Sequence, residues 1–312
     1  MTTFQKASET LPVTVIVAVK NEAVNIAKCL ASCTWAESVI VVDSHSSDGT
    51  RAISEQMGAT VVDFDYRGGF PKKRQWAMDT LPLSSEWTLL LDADETVGEE
   101  LRGEITRVLQ SFTTCDAFLI RKEFHFLGKR FRFGGFSHSA VVLFRRGKAR
   151  FERLVDHKAI SQDMEIHERL IVSGRVGRLQ HPLLHWDFKS LEAYIDRHNR
   201  YSTWDAIQRE HFLRTGTWGA DAISGGALSG EQAFRRFLKS VAVRLPFEPV
   251  FWFLYHYVVR LGFLEGTRGY IACSIRAQYI RNIRSKLFEL RLLKCEREQS
   301  SAAQSALDRP VA

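Results

Sequence analysis

The patterned part of the chain opens with the seven-residue run Val13 to Val19, almost wholly aliphatic and bounded by Pro12 and Lys20. So short an apolar run, closed by polar residues, predicts a strand buried on both faces, as in a parallel sheet. Glu22 to Ser32 follows as a helix, with Val24, Ile26, Ala27, Leu30 and Ala31 on its apolar face. Ser38 to Val42 predicts a second strand ending at Asp43. Asp48-Gly49-Thr50 starts a capped helix that runs to Met57 and is closed by Gly58 before a third strand, Ala59 to Val62. After Gly68-Gly69 and Pro71, Lys72 to Leu81 predicts a helix leading into a strand at Leu89-Leu90-Leu91. Strands and helices alternating at this spacing specify a parallel sheet with right-handed crossovers.

Further along, Ala117 to Ile120 and Val141 to Phe144 predict strands, with a hairpin over Glu123 to Phe133 around Gly128-Lys129 and a loop-rich region up to Gly177. Ser190 to Arg209 carries Leu191, Tyr194, Ile195, His198, Tyr201 and Trp204 at helical spacing. The expected organisation is a polar segment at 1–12, an α/β domain at 13–213, a glycine-rich linker or lid at 214–230, a basic amphipathic helical region at 231–295 and an unstructured polar tail at 296–312. Within the helical region the pattern predicts helices at Glu231 to Arg244, Pro249 to Leu261 and Gly269 to Lys294.

Composition adds two points. Five cysteines with no Cys-x-x-Cys suggest neither a disulfide framework nor a zinc site, and fit a reducing cytoplasm. The net charge of +7 first suggests nucleic acid, but Glu231 to Arg297 holds thirteen Lys or Arg against five Glu, which alone exceeds that imbalance. The same segment carries Phe247, Phe251, Trp252, Phe253, Tyr255, Tyr257 and Phe263. Cations interleaved with bulky aromatics suit an anionic membrane surface rather than nucleic acid. Pro249 to Val259 is too short to span a bilayer, which takes about twenty residues. It is therefore expected to lie on the membrane, the other reading being a helical subdomain packed on the core.

The chemistry concentrates at Leu89-Leu90-Leu91-Asp92-Ala93-Asp94-Glu95, where an apolar strand runs into acids. The carboxyl edge of an open α/β sheet is where ligands bind, and an Asp-x-Asp there offers two hard oxygen ligands to a divalent cation. An EF-hand loop from Asp92 fails, since position 97 is Val97 and position 103 is Gly103. Asp92-Ala93-Asp94-Glu95-Thr96 also fits the opening motif of haloacid dehalogenase phosphatases, which leaves a phosphohydrolase open, with Asp92 as nucleophile. The plainest alternative is that Asp94 and Glu95 begin a helix at Thr96 to Leu109. A catalytically silent membrane-surface scaffold is a further possibility.

Other polar groups follow the strand pattern. Lys20-Asn21-Glu22 stands after the first strand, where Asn21 and Glu22 could equally cap the next helix. Asp43-Ser44-His45-Ser46-Ser47-Asp48-Gly49-Thr50 follows the second strand, with Asp48 read as a helix cap. Lys72-Lys73-Arg74, by its charges alone, reads as a solvated basic helix face. Arg145-Arg146 could meet an anion or merely precede the turn at Gly147. Ile166-His167-Glu168-Arg169 and Val155-Asp156-His157-Lys158 each offer an acid beside a histidine, and a zinc-protease reading of the first fails because position 171 is Ile171.

In order and spacing these motifs resemble the family 2 glycosyltransferases, which have the nucleotide-diphospho-sugar transferase (GT-A) fold, and most of all the small bacterial branch acting in lipopolysaccharide core and surface-polysaccharide assembly. The resemblance runs from Val13 to Ala206, with a weaker echo at Gly262-Phe263-Leu264-Glu265-Gly266. It implies a GT-A α/β domain with a mostly parallel sheet and a C-terminal amphipathic helical region. It further implies an inverting, metal-dependent sugar transferase with a nucleotide-sugar donor, expected to be a UDP-sugar. Asn21, Glu22, Asp43, Lys73, Arg74, Asp92, Ala93 and Arg145 would line the donor site, with Asp43 on the uracil ring and Asp92 on the ribose. Asp94 and His185 would hold the divalent cation, Mg²⁺ or Mn²⁺. Glu168 would be the base, because Gly174-Arg175-Val176-Gly177 after it matches the branch's Gly-x-Val-Gly, while Asp156 is the competing candidate. The acceptor is expected to be a lipid-linked saccharide, and the enzyme to sit peripherally on the inner face of the cell membrane.

Overall fold

A computed structural model of the chain describes residues 10–111, 113–154, 163, 165, 168–186, 190–218, 240–245 and 247–307. It divides into two compact units, Met1–Lys189 and Ser190–Ala312.

The first unit is built on a mixed sheet. Its elements run β1 (Leu11–Val19), α1 (Ile26–Ala31), β2 (Ala36–Asp43), α2 (Thr50–Gln56), β3 (Thr60–Asp63), α3 (Lys73–Thr80), β4 (Trp87–Asp92), β5 (Glu95–Val97) and α4 (Glu99–Gln110). They continue through β6 (Ala117–Phe126), β7 (Lys129–Arg130), β8 (His138–Arg145), β9 (Ala149–Phe151), β10 (Leu170–Val172), β11 (Val176–Arg178) and β12 (Leu183–His185). The main sheet has the order β3-β2-β1-β4-β8-β6-β12-β5. Strands β3, β2, β1 and β4 are parallel, as the strand-helix alternation predicts. Beyond them β8 runs antiparallel to both β4 and β6, so the sheet is mixed on that side.

Both faces of this sheet are buried. Val13, Val15, Val17, Leu89 and Leu91 pack on one face with Ile26, Leu101 and Ile105. Ile16, Val42, Leu90 and Phe144 pack on the other with Phe64 and Ala77. Each fully buried aliphatic side chain contributes about 1.5–3 kcal/mol, so the central strands anchor the unit. Two elements depart from the sequence pattern. Glu95 to Val97 forms a strand paired to β12, and the following helix begins only after Gly98, so Asp94 and Glu95 are not its opening residues. The first helix is also shorter than expected, because Glu22 to Asn25 form a turn in which the Asn25 and Ile26 amides donate to the Glu22 carbonyl.

The second unit is helical. Helix α5 (Leu191–Thr215) is capped by the Ser190 hydroxyl, which accepts from the Ala193 amide at 3.0 Å, and it ends at Gly216 with φ +77°. This helix lies wholly in the second unit, so the structural division falls ahead of it rather than near residue 213. Next come α6 (Glu248–Leu254), a π-helical turn (Tyr255–Val259), a 3-10 turn (Gly262–Glu265) and α7 (Thr267–Leu307). Glu296 to Leu307, expected to be unstructured, continues α7, in keeping with the fair helix propensity of its Ala, Gln and Glu residues. Ala206 packs with Tyr279, Ile280 and Ile283, and the Tyr279 hydroxyl donates to Asp205 at 2.5 Å. Among the described residues no helix is long and apolar enough to cross a membrane. The expectations for residues 219–239 and 308–312, which include most of the glycine-rich linker, lie outside the described residues.

The Gly174–Gly177 motif has a packing explanation. Gly174 has φ +136°, and a Cβ there would lie 2.0 Å from the Asp116 carboxylate. That carboxylate accepts from the Arg175 amide at 3.0 Å. A Cβ on Gly177 would meet the Phe118 ring at 2.7 Å, where β11 pairs with β6. Gly174→Ala should therefore cost about 1–3 kcal/mol. A urea-denaturation midpoint equal to that of the native chain would contradict this.

Candidate active site

The parallel register gathers acids on one edge. Val19 of β1 lies opposite Asp43 of β2, which lies opposite Asp63 of β3, while Ala18 lies opposite Asp92 of β4. Asp43 and Asp92 therefore end the two strands that flank β1. Asp43 is buried and accepts from the Ser46 amide at 3.1 Å and the Ser46 hydroxyl at 2.6 Å. Asn21 stands at φ +56°, a conformation that Asn tolerates better than most residues. Its amide donates to Ser46 Oγ at 2.8 Å and its side-chain oxygen accepts from the Ser47 amide at 2.8 Å, which ties the two strand-end loops together. The Glu22 amide donates to Thr50 Oγ1 at 2.7 Å. Asp48 accepts from the Thr50 amide at 3.0 Å, while the N-cap position of α2 is held by Gly49 rather than by Asp48 as the sequence suggests.

One helical turn binds this edge to a distant loop. Lys72, Lys73 and Arg74, at the start of α3, pair in turn with Glu168 at 2.5 Å, Asp163 at 3.1 Å and Asp92. Glu165 adds a fourth link, its carboxylate accepting from the Arg74 amide at 3.1 Å and the Gln75 amide at 3.0 Å. These are the orphan donors of a helix N-terminus, which a carboxylate both satisfies and complements electrostatically. The three cations are therefore not a solvated helix face. Lys73 is 1% exposed, its ammonium donating to the Val19 carbonyl at 2.7 Å, so it braces the edge from within rather than presenting itself to a ligand. Burial lowers its pKa, opposed by Asp163.

Asp92 sits in a dense charge cluster with Arg74, Lys122 at 3.3 Å and, through Lys122, the fully buried Glu95 at 2.6 Å. Burial pushes the Asp92 carboxyl up, but Arg74, Lys122 and His185 together outweigh it and hold it well below the usual carboxylate range. Burial raises Glu95. Lys122 is raised in spite of burial, because Glu95 and Asp92 both favour its charged form. Ala93 packs its methyl group into the core between the two acids. The pairing of β12 with β5 sets His185 opposite Glu95, which brings its Nε2 within 3.5 Å of Asp94. The Trp186 amide donates to the Asp94 carbonyl at 2.8 Å and fixes that pair.

Arg145 is not brought to this site. Strand β8 is antiparallel to β4, with Arg145 opposite Trp87, so it stands at the far end of the sheet from Asp92. There it pairs with Glu86 and lies 4.7 Å from the Trp87 ring. Asp156 and His167 lie outside the described residues. Lys122, Glu95, Asp163 and Glu165 were missed as site residues. Lys122 fell between the predicted strand Ala117 to Ile120 and the hairpin from Glu123, whereas both belong to one strand, β6, and the hint to Glu165 was its three-residue spacing from Glu168.

The donor set at the edge suits a divalent cation: the Asp94 carboxylate and the His185 imidazole are side by side, and both are ligand types that Mg²⁺ or Mn²⁺ accepts. Among the described residues no three His, Cys, Asp or Glu groups form a metal cluster, so the remaining oxygens would have to come from a ligand and water.

Residues 14–132, which include β1 to β4 and the Asp-x-Asp, match the family model described as glycosyl transferase family 2. Residues 14–132 are thus a family 2 glycosyltransferase domain by that match. The lipopolysaccharide core biosynthesis glycosyltransferase LpsC of Rhizobium meliloti is 26% identical over 205 residues, 64% of this chain and 72% of that protein. An uncharacterized glycosyltransferase of Rickettsia bellii is 24% identical over 97% of this chain and 95% of its own length. Among solved structures, a mannosyltransferase from Pyrobaculum calidifontis in complex with GDP-Man and Mn²⁺ is similar with a TM-score of 0.47 at 15% identity, covering 90% of this chain and 88% of that one. The glycosyltransferase assignment replaces the phosphohydrolase alternative, and the fold is the GT-A α/β arrangement that the sequence motifs imply. Glu168 and His185 lie beyond the matched segment, so their place in this glycosyltransferase rests on geometry.

The charge cluster carries a pH prediction. A carboxylate with a depressed native pKa stabilises the fold above its unfolded value of about 3.9 and loses that contribution as pH falls through the native value. Asp92→Asn should therefore be destabilised at pH 7, and the gap to the native chain should begin to narrow only below about pH 4. Urea titrations of both proteins between pH 7 and pH 3 check this. A gap that stays constant across that range would mean the Asp92 charge is not what the cluster depends on.

Proposed function

We propose that this family 2 glycosyltransferase transfers a sugar from a UDP-sugar to a lipid-linked saccharide, in the assembly of lipopolysaccharide core or a related surface polysaccharide. Transfer occurs in one inverting displacement at the inner face of the cell membrane. The observation that carries the reading is the basic turn of α3, which clamps Glu168 and Asp92 to the same three residues and so sets a candidate base beside the strand end of the donor site. The low-identity likeness to LpsC supports the acceptor class, and the basic, aromatic C-terminal region supports the membrane setting.

In this mechanism Asp43 accepts a hydrogen bond from the uracil ring and Asp92 binds the ribose. Asp94 and His185 would hold a divalent cation, which when bound would supply positive charge for the diphosphate leaving group. The acceptor oxygen attacks the anomeric carbon from the face opposite the diphosphate. Its C–O bond forms as the bond to the leaving UDP breaks, and its proton passes to Glu168. The ion pair with Lys72 fixes the orientation of the Glu168 carboxylate for that transfer. No group in this scheme bonds covalently to the sugar, so an α-linked donor yields a β-glycoside.

Glu168→Gln should lower kcat by about 10²–10⁴-fold while leaving nucleotide affinity near that of the native enzyme. Full activity in this variant would move the base to Asp156. NMR of the product anomer tests the stereochemistry, and an α-product from an α-donor would overturn the single displacement.

A further inference from the structure

The helical segment that follows Phe247 turns its apolar side away from its own unit. Phe251, Leu254, Tyr255, Val258 and Val259 recur at three- and four-residue spacing, and each is between 46% and 67% exposed. This is the apolar stripe by which an amphipathic helix normally packs inward, yet here it faces out. The opposite side of the segment is firmly seated. Trp252 stacks on His256 with ring centroids 3.4 Å apart and packs on the cluster of Ala206, Tyr279, Ile280 and Ile283. Buried Glu248 pairs with Arg209 at 2.7 Å and with Arg284 at 3.4 Å. These contacts fix the rotation of the segment about its axis, so the stripe is presented by a rigid support.

The turn that closes the segment is equally constrained. A Cβ on Gly262 would lie 2.7 Å from the His256 carbonyl, and one on Gly269 would lie 2.0 Å from the Gly262 carbonyl. Only glycine allows this approach. It leaves Phe263 and Leu264 exposed at 44% and 49%.

The charges on the same stretch decide what fits it. Between Phe247 and Arg268 the acids are Glu248 and Glu265, each only 4% exposed, whereas Arg260 and Arg268 are both exposed. The apolar stripe thus lies in a stretch whose exposed charges are positive, with no exposed carboxylate between Phe247 and Arg268. We propose that Phe247 to Leu264 is a membrane-insertion surface: the stripe enters the interface of a bilayer, and Arg260 and Arg268 pair with anionic lipid headgroups. Tyr255 suits headgroup depth, and an eleven-residue apolar run that cannot span a bilayer can lie in its surface. The surface deepens the reading of a lipid-linked acceptor, because it holds the enzyme where that acceptor's sugar emerges from the membrane.

Flotation of the full chain with vesicles of phosphatidylethanolamine and phosphatidylglycerol, free of acceptor and nucleotide, separates this inference from the proposed activity. The native chain should float with these vesicles at low salt and poorly with phosphatidylcholine alone. Phe251→Ser with Val259→Ser should weaken binding by about a hundredfold. Arg260→Glu or Arg268→Glu should each weaken it by at least about fivefold. Thermal melting establishes that each variant is folded. Hydroxyl-radical footprinting of the native chain needs no variant, and should show Phe251, Tyr255 and Val259 protected when vesicles are added. Failure of the native chain to float, variants that float equally well, or unprotected stripe residues would overturn the proposal. So would a native dimer that the stripe variants convert to monomers, since a second copy would then be the occupant. Vesicle binding with no sugar transfer to any lipid-linked acceptor would leave this inference standing and count against the proposed activity alone.

Discussion

The site depends on one turn of helix. Lys72, Lys73 and Arg74 each hold a different acid, and those acids come from strand β4 and from the stretch around 163–168. These segments are separated by some seventy residues of chain, and nothing in local secondary structure would bring them together. Breaking a buried pair by removing one partner commonly costs about 3–5 kcal/mol, a cost that falls most fully on Lys72 and Glu168, which are buried on both sides, whereas Asp92 keeps Lys122 if Arg74 is lost. Its role is specificity of arrangement more than net stability. A buried ion pair is often no more stable than a packed apolar pair, but it has fewer ways to be satisfied.

The same turn explains why the edge can present acids without repelling itself. Asp92, Asp94 and Glu95 fall within four residues at the end of an apolar strand. Arg74 and Lys122 reach into this group from a helix and from strand β6, so the negative charge near Asp92 is offset by fixed cations. Asp94 is turned instead toward His185. One acid of the motif is thus engaged by protein cations and the other stands beside an imidazole. Such a division suits a site that must bind a sugar nucleotide and a cation at adjacent points, with dipoles and charges oriented before the ligand arrives.

Much of this was legible in the chain. The aliphatic runs at Val13 and Leu89 and the strand-helix alternation specify the parallel half of the sheet, because burial on both faces leaves no other use for such segments. The positions of Asp43 and Asp92 at strand ends, and of Asp94 just past one, were legible in the same pattern. That of Arg145 was not, because the pattern of Val141 to Phe144 reveals a strand but not its direction. An antiparallel strand sends its last residue to the opposite edge. The β5 strand was hidden for a related reason: three residues are too few for a period, and their pairing with β12 is a tertiary fact. Lys122 and Glu165 were illegible because their partners are remote in sequence. In the helical unit, periodicity showed an apolar stripe at Phe251 to Val259 but could not say which way it faces. Only the seating of Trp252 and Glu248 decides that.

The most direct test of the central claim is calorimetric titration of UDP into the native chain, with and without Mn²⁺, beside Asp94→Ala and His185→Ala. The account predicts UDP binding that is strengthened by Mn²⁺ in the native chain, and variants in which the Mn²⁺ effect is lost. Binding of UDP that is indifferent to Mn²⁺ and unchanged in both variants would contradict the assignment of Asp94 and His185. The absence of any UDP binding would contradict the donor site itself.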